Sequence, residues 1–254
     1  MPGPSAPLRA GHDDASEGIA ENLDAVRRRI TAAAERVHRA ATDIRLIAVS
    51  KTFGPELVRA AADAGQLDFG ENRVQEGLDK IDTLRQRGES RLQWHLIGHL
   101  QSNKAKRAAH AFAWIQSVDS RDLLRKIDAA AVEAGTRPRV LVQVDLAHEE
   151  TKFGADERAL DDLIKAALDA QAVILCGLMI VPPIPDEPEE SRPWFRRLRE
   201  LRDAIVATGV PADRLRELSM GMSGDFEIAI EEGATMVRVG TAVFGRRPPV
   251  RPPS

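Results

Sequence analysis

Apolar residues follow two different spacings along this chain. Between residues 19 and 40 they recur every three or four positions, which predicts a leading amphipathic helix. Short runs rich in β-branched residues then follow one another, with segments of helical spacing between them. There are eight such runs, at residues 44–50, 67–70, 92–98, 113–118, 139–145, 173–180, 215–219 and 235–240.

Strands that alternate with helices pair in a parallel sheet. Eight units joined by short connections favour closure into one α/β (β/α)8 TIM-type barrel, with an extra N-terminal helix, over an open doubly wound sheet. We expect the barrel to span residues 17–245. Residues 1–16, rich in Pro, Gly, Ala and Asp, are expected to form a disordered arm, and residues 246–254 an extended tail rich in Pro and Arg.

Composition narrows the classes of function. The formal net charge is −3, so no basic surplus favours binding to nucleic acid. Cys176 is the only cysteine, which excludes an internal disulfide and is typical of a reducing, cytoplasmic location. No apolar run approaches the roughly 20 residues of a membrane span, and residues 1–16 lack the pattern of a signal peptide.

Barrel chemistry lies in the loops that follow the carboxyl ends of the strands. Lys51 stands there, directly after the first predicted strand. It is either a solvated loop lysine or an amine made nucleophilic by partial desolvation, as in Schiff-base chemistry.

Small residues follow the last two strands. Residues 218–225 are rich in Ser and Gly, and Gly240 and Thr241 come after the eighth strand. Exposed backbone N–H groups and hydroxyls in these two loops are suited to bind a phosphate, a frequent arrangement in such barrels. Because the first and eighth strands are neighbours in a closed barrel, the amine of Lys51 would face this phosphate site. Pyridoxal phosphate and a sugar phosphate both fit that geometry.

Arg238 bears on the choice between them. Strand alternation places it on the face opposite Val237 and Val239, which points it into the barrel. A buried arginine needs a partner, which is either a carboxylate or a ligand. If that ligand is a pyridine nitrogen, the permanent charge of Arg238 keeps the nitrogen unprotonated and weakens the ring as an electron sink.

Several long motifs, in order from about residue 19 to residue 245, resemble those of the pyridoxal phosphate homeostasis protein family. They include Ile47-Ala48-Val49-Ser50-Lys51-Thr52, Phe69-Gly70-Glu71-Asn72-Arg73-Val74-Gln75-Glu76, Trp94-His95-Leu96-Ile97-Gly98-His99-Leu100-Gln101-Ser102-Asn103-Lys104, Thr151-Lys152-Phe153-Gly154, Gly177-Leu178-Met179, Leu218-Ser219-Met220-Gly221-Met222-Ser223 and Val237-Arg238-Val239-Gly240-Thr241.

The resemblance implies a barrel similar to the N-terminal domain of alanine racemase, with pyridoxal phosphate as cofactor. It implies that Lys51 is the Schiff-base lysine and that Arg238 contacts the pyridine nitrogen, although a contact with the phosphate stays open. The implied phosphate contacts are Ser223, Gly240 and Thr241, with Ser219 as an alternative hydroxyl, and the implied pocket lining includes Asn72, Met220 and Gly221.

One departure from the family pattern matters for function. Arg73 stands where many members have tyrosine, and the chain contains no tyrosine. Alanine racemase uses a tyrosine as its second acid/base and carries it on an additional β domain that is missing here. Amino acid racemisation is therefore disfavoured, and a monomer is expected because the dimer-forming domain is missing.

Three functions stay open at this point. The first is a non-catalytic carrier that holds pyridoxal phosphate, buffers it and delivers it to apo-enzymes. The second is a pyridoxal phosphate-dependent enzyme with weak racemase or lyase activity, and the third is a Schiff-base aldolase. No metal site is expected. The sequence assigns no role to Lys152, which could be a second amine, or to the basic run at residues 104–107.

Overall fold

The computed structural model describes residues 10–147 and 153–245, with side chains from residue 18 onward. Its strands are β1 (Arg45–Val49), β2 (Asp68–Glu71), β3 (Gln93–Leu96), β4 (Trp114–Val118), β5 (Arg139–Gln143), β6 (Ile174–Met179), β7 (Glu217–Ser219) and β8 (Met236–Val239). Each strand pairs in parallel with its neighbour in sequence, and β8 closes on β1. The predicted (β/α)8 barrel is therefore confirmed.

Helices alternate with these strands in the described part of the chain. They are α1 (Ala10–Arg36), α2 (Pro55–Asp63), α3 (Val74–Gln86), α4 (Ala105–Ala111), α5 (Arg121–Ala134), α6 (Glu157–Leu168), α7 (Arg192–Ala207), α8 (Phe226–Glu231) and α9 (Thr241–Phe244). The local sequence explains where several of these helices begin or end. Pro55 begins α2, and the Ser120 hydroxyl accepts from the Leu123 amide at the start of α5, which ends at Gly135 in the left-handed conformation.

The first and last helices of the described residues differ from the sequence prediction. Helix α1 begins at Ala10 and not at residue 19, so residues 10–16 of the expected arm are helical. They carry too few large apolar residues for a helical period to be visible in the sequence. Residues 1–9 and 246–254 lie outside the described residues. The short helix α9 was not predicted, because four residues are too few to show a period.

Most strands end earlier than their apolar runs. β1 stops at Val49 and β3 at Leu96, because the backbone turns away there into the loops at the mouth of the barrel. Val144 and Ile180, the last apolar residues of the fifth and sixth runs, are buried just beyond the ends of β5 and β6.

Two apolar clusters hold the fold together. The larger one lies between the strands and the surrounding helices, and α1 packs against α2, α8 and α9 at its edge. The smaller one fills part of the barrel interior with Ile47, Trp114, Leu141, Met179 and Met236. Register pairs Ile47 on β1 with Arg238 on β8, and Arg238 is buried, so it points inward as predicted. Among the described residues, no helix is both long and apolar enough to cross a membrane.

Candidate functional site

A cavity of about 310 Å³ opens at the carboxyl ends of the strands. Residues that follow β1, β2, β3, β6, β7 and β8 contribute to its wall. The lining consists of Val49, Lys51, Phe53, Asn72, Ile97, Val181, Met222, Ser223, Gly224, Arg238, Gly240 and Thr241. The cavity therefore combines apolar side chains with one amine, one guanidinium and two hydroxyls, a balance typical of a small-molecule site.

Lys51 reaches this cavity from a tight turn. The Phe53 amide donates to the Ser50 carbonyl oxygen at 3.1 Å, which closes the turn around Lys51 and Thr52. Thr52 has a φ of 71°, a conformation that a turn requires at this position and that normally selects glycine. A β-branched residue held there is strained, and such strain persists only where the surroundings impose it.

Lys80, on the buried face of α3, imposes that conformation together with two carboxylates. Its ammonium group donates to the Ser50 carbonyl oxygen at 2.7 Å and to the Oε1 atoms of Glu71 and Glu76 at 2.7 and 2.8 Å. The Thr52 amide donates to the same Glu76 oxygen. The backbone on both sides of Lys51 is therefore held by one network of charges centred on the buried ammonium group of Lys80.

The protonation of this network is shaped by burial. Burial raises the pKa of Glu71, although Lys80 and the Ser50 hydroxyl, 2.6 Å from its Oε1, act in the opposite direction. In the described part of the chain, Glu71 Oε2 is buried without a hydrogen-bond partner. Burial would also raise the pKa of Glu76, but hydrogen bonds from Lys80 and the Thr52 amide outweigh it, and that pKa is lowered.

The opposite wall of the cavity is built from the two loops after β7 and β8. The Gly240 amide donates to the Ser223 hydroxyl at 3.2 Å, which joins the loops. Asp225 organises the first loop, because its carboxylate accepts from the Met222 amide at 2.6 Å and from the Ser191 hydroxyl at 2.8 Å. A side chain at position 240 would lie 3.3 Å from the Val49 carbonyl oxygen, so glycine lets the eighth strand approach the first.

Arg238 lies at the base of the cavity and is buried. It donates to the Ser219 hydroxyl at 2.7 Å and to the Ile180 carbonyl oxygen at 2.8 Å. Burial lowers its pKa to about 10, so the guanidinium is charged at neutral pH. Both of these contacts are to neutral oxygens. Neither is to a carboxylate, which was one of the two partners that the sequence analysis considered for Arg238.

Six of the nine predicted site residues line this one cavity: Lys51, Asn72, Ser223, Arg238, Gly240 and Thr241. The other three lie outside its lining. Ser219 is buried against Arg238, Met220 packs in the core, and Gly221 has a φ of 89° with Ala229 too close for any side chain. Of the two candidate hydroxyls for a phosphate, Ser223 is therefore the one in the cavity wall.

Sequence reasoning missed the apolar wall of Phe53, Ile97 and Val181, and it missed Lys80. One signal for Lys80 was available. It occupies a core-facing position of α3, in register with Gly77, Ile81 and Leu84, where an unpaired lysine is unfavourable.

The remaining sequence candidates divide as follows. Lys104 lines a second, adjoining cavity, Lys106 pairs with Glu133 at the surface, and Arg107 donates to Gln75. Lys152 lies outside the described residues. Within those residues, no group of three His, Cys, Asp or Glu side chains is arranged to hold a metal ion.

Comparison with known proteins gives consistent matches. Residues 22–248 match the family described as alanine racemase, N-terminal domain. A relative from Aquifex aeolicus named pyridoxal phosphate homeostasis protein is 43% identical over 227 residues, which are 89% of this chain and 97% of the relative. One of the same name from Escherichia coli K12 is 40% identical over 229 residues, or 90% of this chain and 97% of the relative.

Solved structures agree with these matches. PipY of Synechococcus elongatus PCC7942, with PLP bound, is 38% identical with a TM-score of 0.76 and covers 89% of this chain and 100% of its own. An alanine racemase from Clostridium difficile 630 has a TM-score of 0.69 at 19% identity, over 92% of this chain and 58% of its own. That similarity is one of fold, of the alanine racemase N-terminal type.

Proposed function

Because this chain belongs to the family of pyridoxal phosphate homeostasis proteins, we propose that it holds pyridoxal phosphate as a Schiff base on Lys51, buffers the free cofactor and delivers it to apo-enzymes. Residues 17–245 form the binding unit in this proposal. The observation that carries it is that Lys51, Arg238 and the loops containing Ser223 and Thr241 line a single cavity.

Each part of the cavity suits one part of that cofactor. The amine of Lys51 would hold the cofactor by condensing with its aldehyde carbon, with loss of water. The Ser223 and Thr241 hydroxyls, with the backbone N–H groups of their loops, bind the phosphate. Ile97 and Val181 would offer apolar contacts to the ring, and Asn72 would offer a polar one. When bound, the cofactor supplies an electrophilic imine.

Arg238 favours a carrier over an enzyme. A charged guanidinium donates to the pyridine nitrogen and disfavours its protonation, which weakens stabilisation of a carbanion. The chain also contains no tyrosine to act as a second acid/base. We therefore propose binding without turnover, and the weak racemase or lyase function is the alternative that experiment must exclude.

We further propose that the protein is a cytoplasmic monomer. A single cysteine supports a reducing location, and burial raises the pKa of its thiol to about 11, which makes Cys176 unreactive. Size-exclusion chromatography with light scattering tests the oligomeric state, and a mass of two chains would contradict it.

The central test is the visible spectrum of the purified protein with added pyridoxal phosphate. We expect a Schiff-base absorption band that disappears in Lys51→Ala and persists in Lys165→Ala, whose lysine is exposed on α6. Borohydride reduction followed by peptide mass mapping should place the modification on Lys51. A modified peptide containing Lys152 and not Lys51 would overturn the assignment.

A second experiment separates the carrier from the enzymes. The loaded protein is incubated with a panel of amino acids, and unloaded protein with sugar phosphates. We expect loss of the absorption band without sustained product formation. Continued racemisation or elimination would favour the enzyme alternative, and cleavage of a sugar phosphate without cofactor would favour an aldolase.

A further inference from the structure

Four polar side chains form a hydrogen-bonded chain from Arg238 through the barrel interior to the start of β2. Ser219 Oγ accepts from Arg238 at 2.7 Å and donates to Gln116 Oε1 at 2.7 Å. Gln116 Nε2 lies 3.0 Å from His95 Nδ1, and His95 Nε2 lies 2.9 Å from Asp68 Oδ1. We call these five residues, on β8, β7, β4, β3 and β2, the polar column.

Which group donates and which accepts in each hydrogen bond of the polar column follows from Arg238 at one end and Asp68 at the other. Arginine only donates, so Ser219 accepts from Arg238, and its own hydrogen remains available to the Gln116 amide oxygen. At the other end, Asp68 accepts: burial alone would raise its pKa, but His95 and Arg45 outweigh that effect and the pKa is lowered. His95 therefore carries its proton on Nε2.

The Gln116 amide can form hydrogen bonds with both of its neighbours, Ser219 and His95. Burial lowers the pKa of His95, so the ring is neutral and its Nδ1 accepts a hydrogen. The amide of Gln116 can then only present its NH2 group to His95 and its oxygen to Ser219. The reversed amide would leave two donors or two acceptors facing each other, which is costly in a buried site.

The polar column orients the Arg238 side chain through hydrogen bonds and places no carboxylate against its guanidinium group. Asp68 is balanced locally by Arg45, whose guanidinium lies 3.1 Å from its Oδ1. Asp225 is the acidic group whose field reaches Arg238 from the neighbouring loop, and it forms no ion pair with it among the described residues. Arg238 is thus held by Ser219 and the Ile180 carbonyl oxygen, and its other N–H donors are left for the cavity.

We propose that Ser219, Gln116 and His95 are positioning residues that orient Arg238 toward the ring nitrogen of the bound cofactor. This inference rests on the proposed function. Two neutral acceptors leave the guanidinium charge undiminished for the ligand, and the ordered bonds behind it restrict its rotation, so less entropy is lost on binding.

The test compares two ligands. Pyridoxal phosphate is one, and its deaza analogue, in which C–H replaces the ring nitrogen, is the other. In Gln116→Met and Ser219→Ala we expect affinity for pyridoxal phosphate to fall about tenfold, the loss that corresponds to one hydrogen bond to a charged group. Affinity for the deaza analogue should be unchanged, because Arg238 has no acceptor there.

Gln143→Met is the matched control. Gln143 is another buried glutamine of the barrel, on β5, and it donates to the Phe153 carbonyl oxygen outside the polar column. Its substitution should leave the ratio of the two affinities at the wild-type value. A purely structural role for the polar column would weaken both ligands equally in Gln116→Met, and that result would overturn the inference.

Nitrogen-15 NMR of histidine in the unloaded protein gives a second measurement. We expect His95 to be neutral with its proton on Nε2, and Gln116→Met to shift its Nδ1 resonance. A proton on Nδ1 in the wild type would overturn the inference. If the wild type binds neither pyridoxal phosphate nor the deaza analogue, the proposed function is wrong. If it binds both with equal affinity and the variants keep that ratio of affinities, only the positioning role is wrong.

Discussion

The ammonium group of Lys80 donates to the carbonyl oxygen of Ser50 at 2.7 Å, one residue before the lysine that lines the cavity. The same group binds Glu71 and Glu76, and Glu76 accepts from the backbone one residue after Lys51. The buried Lys80 therefore determines the path of the turn that places Lys51 in the cavity wall. Its removal should affect both stability and the position of Lys51.

Lys80→Met tests that relationship. Loss of the ammonium leaves two carboxylates without their partner, and breaking a buried ion pair typically lowers the free energy of unfolding by about 3–5 kcal/mol. Lys106→Met is the control, because Lys106 and Glu133 form an exposed pair that contributes at most about 1 kcal/mol. Urea unfolding followed by circular dichroism measures both, and equal losses would contradict the role given to Lys80.

Asp128 gives a prediction about pH. Its carboxylate accepts from the amides of Gln171, Ala172 and Val173 ahead of β6, at 3.1, 2.8 and 3.0 Å. Burial alone would raise the pKa, but these bonds outweigh it and the pKa is lowered from 3.8. A lowered carboxyl pKa means that the ionised group stabilises the fold above pH 3.8 and that this contribution is lost as the pH falls through the folded pKa.

Asp128→Asn should therefore be less stable than the wild type at neutral pH by about 1.5–3 kcal/mol, the range for hydrogen bonds to a charged group. The difference should shrink as the pH falls below 3.8, where the wild-type carboxyl is protonated in the unfolded chain and then in the folded one. Urea unfolding at several pH values measures it. A difference that stays constant with pH would show that the charge contributes nothing.

Ser223→Ala tests the phosphate site. Removing the hydroxyl deletes one donor to the phosphate and the acceptor of the Gly240 amide, so the affinity for pyridoxal phosphate should fall about tenfold. Ser120→Ala is the control: it removes the cap of α5, which lowers stability without changing cofactor affinity. Spectrophotometric titration measures affinity, and an unchanged value in Ser223→Ala would exclude this contact.

Gly177→Ala tests the packing of β6 on β7. A Cβ atom at this position would lie 1.8 Å from the Glu217 carbonyl oxygen, so the strands must separate, and we expect a loss of more than about 4 kcal/mol or no folded protein. Gly18→Ala in α1 meets no atom within 4 Å and should instead stabilise the protein by about 0.5–1 kcal/mol. Thermal unfolding compares the two, and a tolerated Gly177→Ala would contradict this strand register.

The sequence was sufficient for the fold because the strand and helix periods are local properties. Eight apolar runs separated by helical segments predict a closed parallel barrel, and the position of a residue just after a run places it at the mouth. Lys51, the loop at residues 218–225 and Thr241 were placed at the mouth in this way, and the choice of Ser223 within that loop came from the family resemblance. Helix limits such as Ala10 were not, since small residues carry no period.

Only the tertiary structure decided the contacts between residues that are distant in sequence. Ser50 and Lys80 are separated by 30 positions, and Gln116 and Ser219 by 103, so no spacing along the chain indicates that their atoms touch. Met220 and Gly221, which the family resemblance implied for the pocket lining, are packed against the core and against Ala229, and no pattern in the sequence indicates those contacts. The chain by itself determined which chemical groups reach the barrel mouth, because parallel strands end at the same edge of the sheet. Only the folded structure decided which of these groups touch, because contacts such as that of Arg238 with Ser219 depend on how side chains of separate strands pack.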